Sequence, residues 1–137
     1  MKQLFKTAAF YAVLGLLLGV FYREFTKFNA FTGTTAIGFL HVHTLVLGMF
    51  LFLLLIVVEK NFQITQAKAF KPFMYIYNSG LLLTIFMMIV RGIPQVLSLT
   101  LNRGADAAIS GVAGIGHILL AVGLFLLFKA LYQRIIE

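Results

Sequence analysis

The sequence predicts an all-α integral membrane protein: four transmembrane helices, up-down-up-down, both termini cytoplasmic, with residues 1–137 forming one domain. Composition is the first reason. Of 137 residues, 61% are hydrophobic and only 11% charged, with a mean hydropathy of +1.01. So few charges cannot make the polar shell that a water-soluble core of this size needs. The second reason is that four charge-poor segments each approach the roughly 20 apolar residues that cross a ~30 Å hydrocarbon core. The third is the placement of Lys and Arg. Lys2, Lys6, Lys60, Lys68, Lys71, Lys129 and Arg134 fall on one side of such a bundle, against Arg23, Lys27, Arg91 and Arg103 on the other. The majority side is the cytoplasmic one, which makes this a multi-pass protein of a bacterial cytoplasmic membrane.

The spans are expected at residues 4–22, 35–58, 72–97 and 107–128. Lys6 sits in the entry turn of the first, where a long side chain snorkels to the headgroups. A Lys-bearing start before an apolar run also fits a cleavable leader. No small-x-small cleavage site follows Val20, so the first span is expected to stay. The stretch 28–58 contains no Lys, Arg, Asp or Glu and holds the second span. Pro72 opens the third, where a missing N–H costs little, and Pro94 is expected to kink or end it. The fourth begins after Asp106. The connections, 23–34, 59–71 and 92–106, are too short for a further domain. The middle one mixes Phe62, Ile64 and Phe70 with lysines, as suits a segment lying at the cytoplasmic interface.

Composition also excludes several chemistries. The chain has no cysteine, which removes disulfides, Fe–S ligation, a thiolate copper site and covalent haem attachment. The net charge of +7 follows from the loop lysines, with no basic run or recognition helix, so no nucleic acid is expected as a partner. Glu24, Glu59, Asp106 and Glu137 all fall at span ends or in loops, so no catalytic acid–base pair stands beside the histidines.

Those histidines are the unusual feature. His41, His43 and His117 fall within predicted spans, all in the half nearer the outer ends. A ring buried in lipid is costly unless neutral and hydrogen-bonded, which makes each a functional candidate. At about 100° per residue, His41 and His43 point to nearly opposite faces and cannot chelate one metal from one regular helix. His41 shares its stripe with Gly38, Thr44 and Gly48. His117 shares its own with Ser110, Ala113, Gly114 and Ala121. Both stripes are read as slots that admit a planar macrocycle, although small-residue stripes also serve ordinary helix packing, and histidines also act as interhelical hydrogen-bonding groups. Arg23, Arg91 and Arg103 are placed one layer nearer the outer surface, where an arginine fork suits the propionates of a haem. Interfacial anchoring is the simpler role for them. Met49, Met74, Met87 and Met88 offer soft ligands for Cu(I), or packing. Asn78, Ser79 and Gly80 are the only candidates for a polar path through the third span.

The whole chain resembles a small family of uncharacterised four-span bacterial membrane proteins, through VFYREFTKFNAFTG, HVHTLVLG, MMIVRGIPQVL and DAAISGVAGIGHILL. More distantly, FLHVHTLVLGMFLFLL is similar to the haem-ligating helices of subunit I of the haem-copper oxidases, in which a His-x-His presents its rings to two cofactor sites. That resemblance implies a homotrimer, with His41 of one copy and His43 of the next facing a shared pore. Only His41 and His43 are carried over. The His-His pair and the His-Tyr arrangement that hold the oxidase copper have no equivalent here, and His117 is not at a ligand position of that family.

The resulting expectation is a b-type haem protein for electron transfer or gas binding. Its iron would be held by two of His41, His43 and His117, its propionates met by Arg91, Arg23 or Arg103, and a quinone or other redox partner would be implied. The alternative is a small channel, transporter or assembly factor that uses the histidines to handle protons or a copper or zinc ion. A third reading is a purely structural membrane partner, in which all three histidines tolerate Gln.

Overall fold

The computed structural model describes residues 1–136; Glu137, one of the four carboxylates placed above, lies outside the described residues. Four helical rods, Lys2–Phe28, Ala36–Phe62, Phe70–Val96 and Arg103–Ile135, are long and apolar enough to cross a membrane. At about 1.5 Å per residue each exceeds a ~30 Å hydrocarbon core, and the chain is a multi-pass membrane protein.

The first rod is α1 (Lys2–Phe28). It runs past both limits of the predicted span and carries Lys2, Arg23 and Lys27 in its end turns, where long side chains reach the headgroups of a bilayer. The second rod is composite. A 3-10 turn (Ala36–Phe39), α2 (Leu40–His43), a π-helical segment (Thr44–Phe50) and α3 (Leu51–Phe62) follow one another without a break. Thr35 starts it: the Thr35 hydroxyl accepts from the Ile37 N–H at 3.4 Å, and Thr35 is buried. The third and fourth rods are α4 (Phe70–Val96) and α5 (Arg103–Ile135), the latter capped by Asn102, whose Oδ1 accepts from the Ala105 N–H at 2.8 Å. Pro94 does not break α4. It stands in the last turn, where the lost donor affects a single bond, and the chain turns only at Ser98, whose φ of 53° is left-handed.

The connection between α3 and α4 turns part of its apolar surface into the bundle. Ile64 and Phe70 are buried in the core, and Glu59 holds the bend by accepting from the Thr65 N–H (2.9 Å) and hydroxyl (2.6 Å). The mixed composition of this segment reflects residues that point either into the bundle, as Ile64, Ala67 and Phe70 do, or away from it, as Lys68 and Lys71 do.

The rods form an open arc in the order α1, second rod, α4, α5. Each packs on the next, and α1 and α5 make no substantial contact. Neighbours run antiparallel: Gly48 abuts Tyr11 and Gly38 abuts Tyr22, while Gly116 meets Thr84 and Gly123 meets Tyr77. The α4–α5 contact is backbone-close. A Cβ on Gly116 would lie 2.7 Å from Thr84 Oγ1, and one on Gly123 would lie 2.8 Å from the Tyr77 Cα. In lipid, where burial against hydrocarbon gives no hydrophobic gain, such close contact is the main source of helix association.

The core lies where the middle rods meet α1. Phe52 is fully buried and stacks on Tyr11 at 6.0 Å, tilts against Phe73 at 6.2 Å and meets the edge of Tyr77 at 6.1 Å. The flanks of the arc are bare. On α1, Phe10, Val13, Leu17 and Val20 form an exposed stripe at three- and four-residue spacing; on α5, Gly111, Gly114, Ile118, Ala121 and Phe125 do the same.

Candidate functional site

The polar features of the bundle gather at two levels, a central layer around the π-helical segment and a layer at the end remote from the termini. In the central layer the Tyr77 hydroxyl donates to the Leu47 carbonyl at 2.9 Å. That carbonyl belongs to the π-helical segment, where the backbone pairing has slipped from i+4 to i+5. Tyr11 donates to Asn78 Oδ1 at 2.7 Å, and Asn78 Nδ2 donates back to the Met74 carbonyl at 2.6 Å. Asn78 is therefore a partner for a tyrosine, not part of a polar path. Gly48 lies against the Tyr11 ring and leaves no room for a side chain. A π-helical turn is rare and frequently marks a functional position; here Tyr77 bonds its backbone and the Tyr11 ring packs against its Gly48.

The three histidines stand above this layer on three different surfaces. The contacts Tyr22–Gly38, Ile37–Gly92 and Arg91–Ser110 mark one level near the remote end. By helical rise His41, His43 and His117 lie between about 5 and 10 Å beneath it. His41 points toward α1, beside Gly19, its ring stacked on Tyr22 at 6.4 Å. Its Nδ1 is buried with no hydrogen-bond partner. His43 points the other way, toward a shallow groove of about 210 Å³ shared with Val42, Val46 and Leu47, and its Nδ1 pairs with the Phe39 carbonyl at 3.0 Å. His117 is exposed on α5, its Nδ1 paired with the Ala113 carbonyl at 2.9 Å. A carbonyl accepts only, so in both rings Nδ1 is the donor of that bond and Nε2 is left without a partner from its own helix.

This geometry overturns the haem expectation, and with it the copper and zinc alternatives and the reason for expecting a quinone or other redox partner. Among the described residues no group of three or more His, Cys, Asp or Glu side chains is placed to hold a metal ion. The slot read beside His41 is filled: Tyr22 packs on Gly38, Tyr11 on Gly48, and Thr44 donates to the Leu40 carbonyl at 2.7 Å. Small residues on that stripe admit aromatic rings of α1, not a macrocycle. His117 lies on the outer arm of the arc, on a rod that makes no substantial contact with α1, so His41, which faces α1, and His117 do not converge. Met74 and Met87 are buried, and Met49 and Met88 pack against the core, all as filler.

The arginines divide into two settings. Arg23 is exposed and, among the described residues, pairs only with its neighbour Glu24, at 3.7 Å. Arg91 and Arg103 line a cavity between the end of α4 and the start of α5, together with Gln95 and Asp106. Arg91 Nη2 donates to Ser110 Oγ at 2.6 Å and lies 3.4 Å from Asp106 Oδ1.

Three features escaped sequence reasoning: the π-helical segment, the tyrosine pair and this cavity. A signal for the last was present in the clustering of Arg91, Arg103 and Asp106 around a short connection.

Among curated proteins and among solved structures no match is found, and the distant likeness to the haem-copper oxidases has no counterpart there. Residues 1–134 match the model of a family described as "Protein of unknown function (DUF2871)". Since the match spans nearly all of the chain, the protein belongs to that family of four-span membrane proteins.

Proposed function

We propose that the protein is a membrane assembly module, whose copies associate in the bacterial cytoplasmic membrane into a closed homo-oligomer. The four rods cross up-down-up-down with both termini cytoplasmic, as the loop lysines favour. The α1 flank of one copy packs against the α5 flank of the next, a heterologous contact that closes into a ring.

The observation that carries this reading is the open arc with two bare and unlike flanks. The α1 stripe is bulky, and the α5 stripe is small-residued in its outer half. Following the Tyr22–Gly38, Ile37–Gly92 and Arg91–Ser110 level across the arc, Val20 and Leu17 stand at the heights of Gly111 and Gly114. Neither glycine would bring a Cβ within 4 Å of a neighbouring atom, so nothing among the described residues of one chain accounts for their small size. Bulky residues set into a small-residue stripe give the close packing that drives helix association in lipid. His117 borders the same stripe, and its Nε2 is a polar atom that hydrocarbon leaves unpaired.

Native mass spectrometry of detergent-extracted protein tests the proposal, with Gly114→Leu as the comparison. The expected result is a single oligomeric state for the wild type and monomer for the variant, with unchanged helical content. A wild type that is monomeric at all protein-to-detergent ratios would overturn it.

A further inference from the structure

The cavity at the end remote from the termini has a volume of about 320 Å³, within the ~300–1,000 Å³ of small-ligand sites. Its charge is unbalanced. Two guanidinium groups, Arg91 and Arg103, line it with one carboxylate, Asp106, and that carboxylate is already beside Arg91. Among the described residues Arg103 has no carboxylate within 4 Å.

Gln95 adds an oriented donor. Its Oε1 accepts from the Ala36 N–H at 2.8 Å and from the Thr35 hydroxyl at 3.2 Å. Those two bonds fix which end of the amide faces the second rod, and they leave the Nε2 donor for the cavity. Ser110 holds Arg91 in place from the side, accepting from Nη2 while donating to the Asp106 carbonyl at 2.9 Å. Leu99 and Leu101, which also line the cavity, are 59% and 39% exposed and give it an apolar edge.

We propose that this cavity binds a phosphate-bearing anion at the membrane surface, the headgroup of an anionic phospholipid being the occupant that its apolar edge fits. Arg103 and the free edge of Arg91 take the phosphate oxygens through their forked donors, Gln95 Nε2 adds a third contact, and the acyl chains run past Leu99 and Leu101. A soluble phosphate presents the same oxygens without the chains, so the chemistry is shared and the source is separable by experiment.

The full-length chain, purified in a phosphate-free detergent, would be titrated with phosphatidylglycerol and read by native mass spectrometry. A parallel arm would follow thermal unfolding against inorganic phosphate. Arg103→Gln removes the unpaired charge from an exposed position. Gln95→Glu keeps the acceptor for Ala36 while replacing the donor with an anionic oxygen. Each is expected to weaken phosphatidylglycerol retention about tenfold or more, the loss of one charge-assisted contact, whereas Arg23→Gln, which does not line the cavity, leaves it unchanged. Stabilisation by inorganic phosphate that the same variants abolish, without selective lipid retention, assigns the site to a soluble anion. Binding of neither probe by the wild type, or equal binding by the wild type and both cavity variants, overturns the proposal.

Discussion

Two glycines only two positions apart on α5 give the sharpest test of the packing account. Gly116 faces α4, where a Cβ would meet Thr84 Oγ1 at 2.7 Å and the Thr84 backbone N at 3.2 Å. Backbone cannot rotate away as a side chain can, so Gly116→Ala must push the α4–α5 pair apart. Overpacking of this kind costs about 1–3 kcal/mol. Replacing a helical glycine by alanine returns roughly 0.5–1 kcal/mol. The net expectation is a loss of about 1 kcal/mol, the middle of the roughly 0–2.5 kcal/mol that the two terms leave. Gly114 faces outward and its Cβ would meet nothing within 4 Å, so in a single chain Gly114→Ala keeps only the gain, roughly 0.5–1 kcal/mol of added stability. The assay is SDS-driven unfolding from mixed micelles, diluted until the chain is monomeric, followed by far-UV circular dichroism. Two substitutions of identical chemistry should then shift the midpoint in opposite directions. Equal shifts, or a Gly116→Ala variant as stable as the wild type, would refute the α4–α5 contact described here.

The remaining expectations concern the polar layers. Tyr77→Phe removes the donor to the Leu47 carbonyl and should cost about 1 kcal/mol, the scale of side-chain hydrogen bonds inside membranes, with faster amide exchange confined to the π-helical segment by hydrogen-exchange mass spectrometry; unchanged exchange would mean that the tyrosine does not hold that turn. His41→Phe should be neutral or stabilising in the same unfolding assay, because it keeps the ring stacked on Tyr22 and removes a buried nitrogen that has no partner. A loss above about 1 kcal/mol would show that the His41 nitrogen has a role the structure does not supply. Thr35→Val deletes the hydroxyl that caps the second rod and bonds Gly92 and Gln95; it should lower stability by about 1 kcal/mol, and no change would remove that cap from the account.

The four spans were legible because a charge-free run of sufficient length has few alternatives in any solvent, and the rods fall where those runs lie. Their ends were less so. Lys2, Arg23 and Lys27 fell outside the span read as 4–22, but a helix continues past its apolar stretch when its charged side chains can reach headgroups and water. Pro94 read as a kink or a stop, but a proline in a last turn forfeits one bond. The histidine stripes misled for a physical reason: small residues announce that something comes close without saying what, and at Gly38 and Gly48 it is the rings of Tyr22 and Tyr11. The π-helical segment left no periodic trace, since it is held by Tyr77 from another rod, thirty positions away. The cavity of Arg91, Arg103 and Gln95 needed the α4–α5 turn to be seen in three dimensions, because Gln95 acquires its orientation from Thr35 and Ala36.

The central claim, that copies join through the α1 and α5 flanks, is open to one direct measurement, aided by the absence of cysteine from the chain. Cysteines placed at Leu17 and Gly114 together should crosslink under mild oxidation in native membranes to give a ladder that ends at one closed oligomer. Either cysteine alone should give little product, because a heterologous contact does not bring like residues together. A double variant that stays monomeric, or single variants that dimerise as readily, would contradict the account.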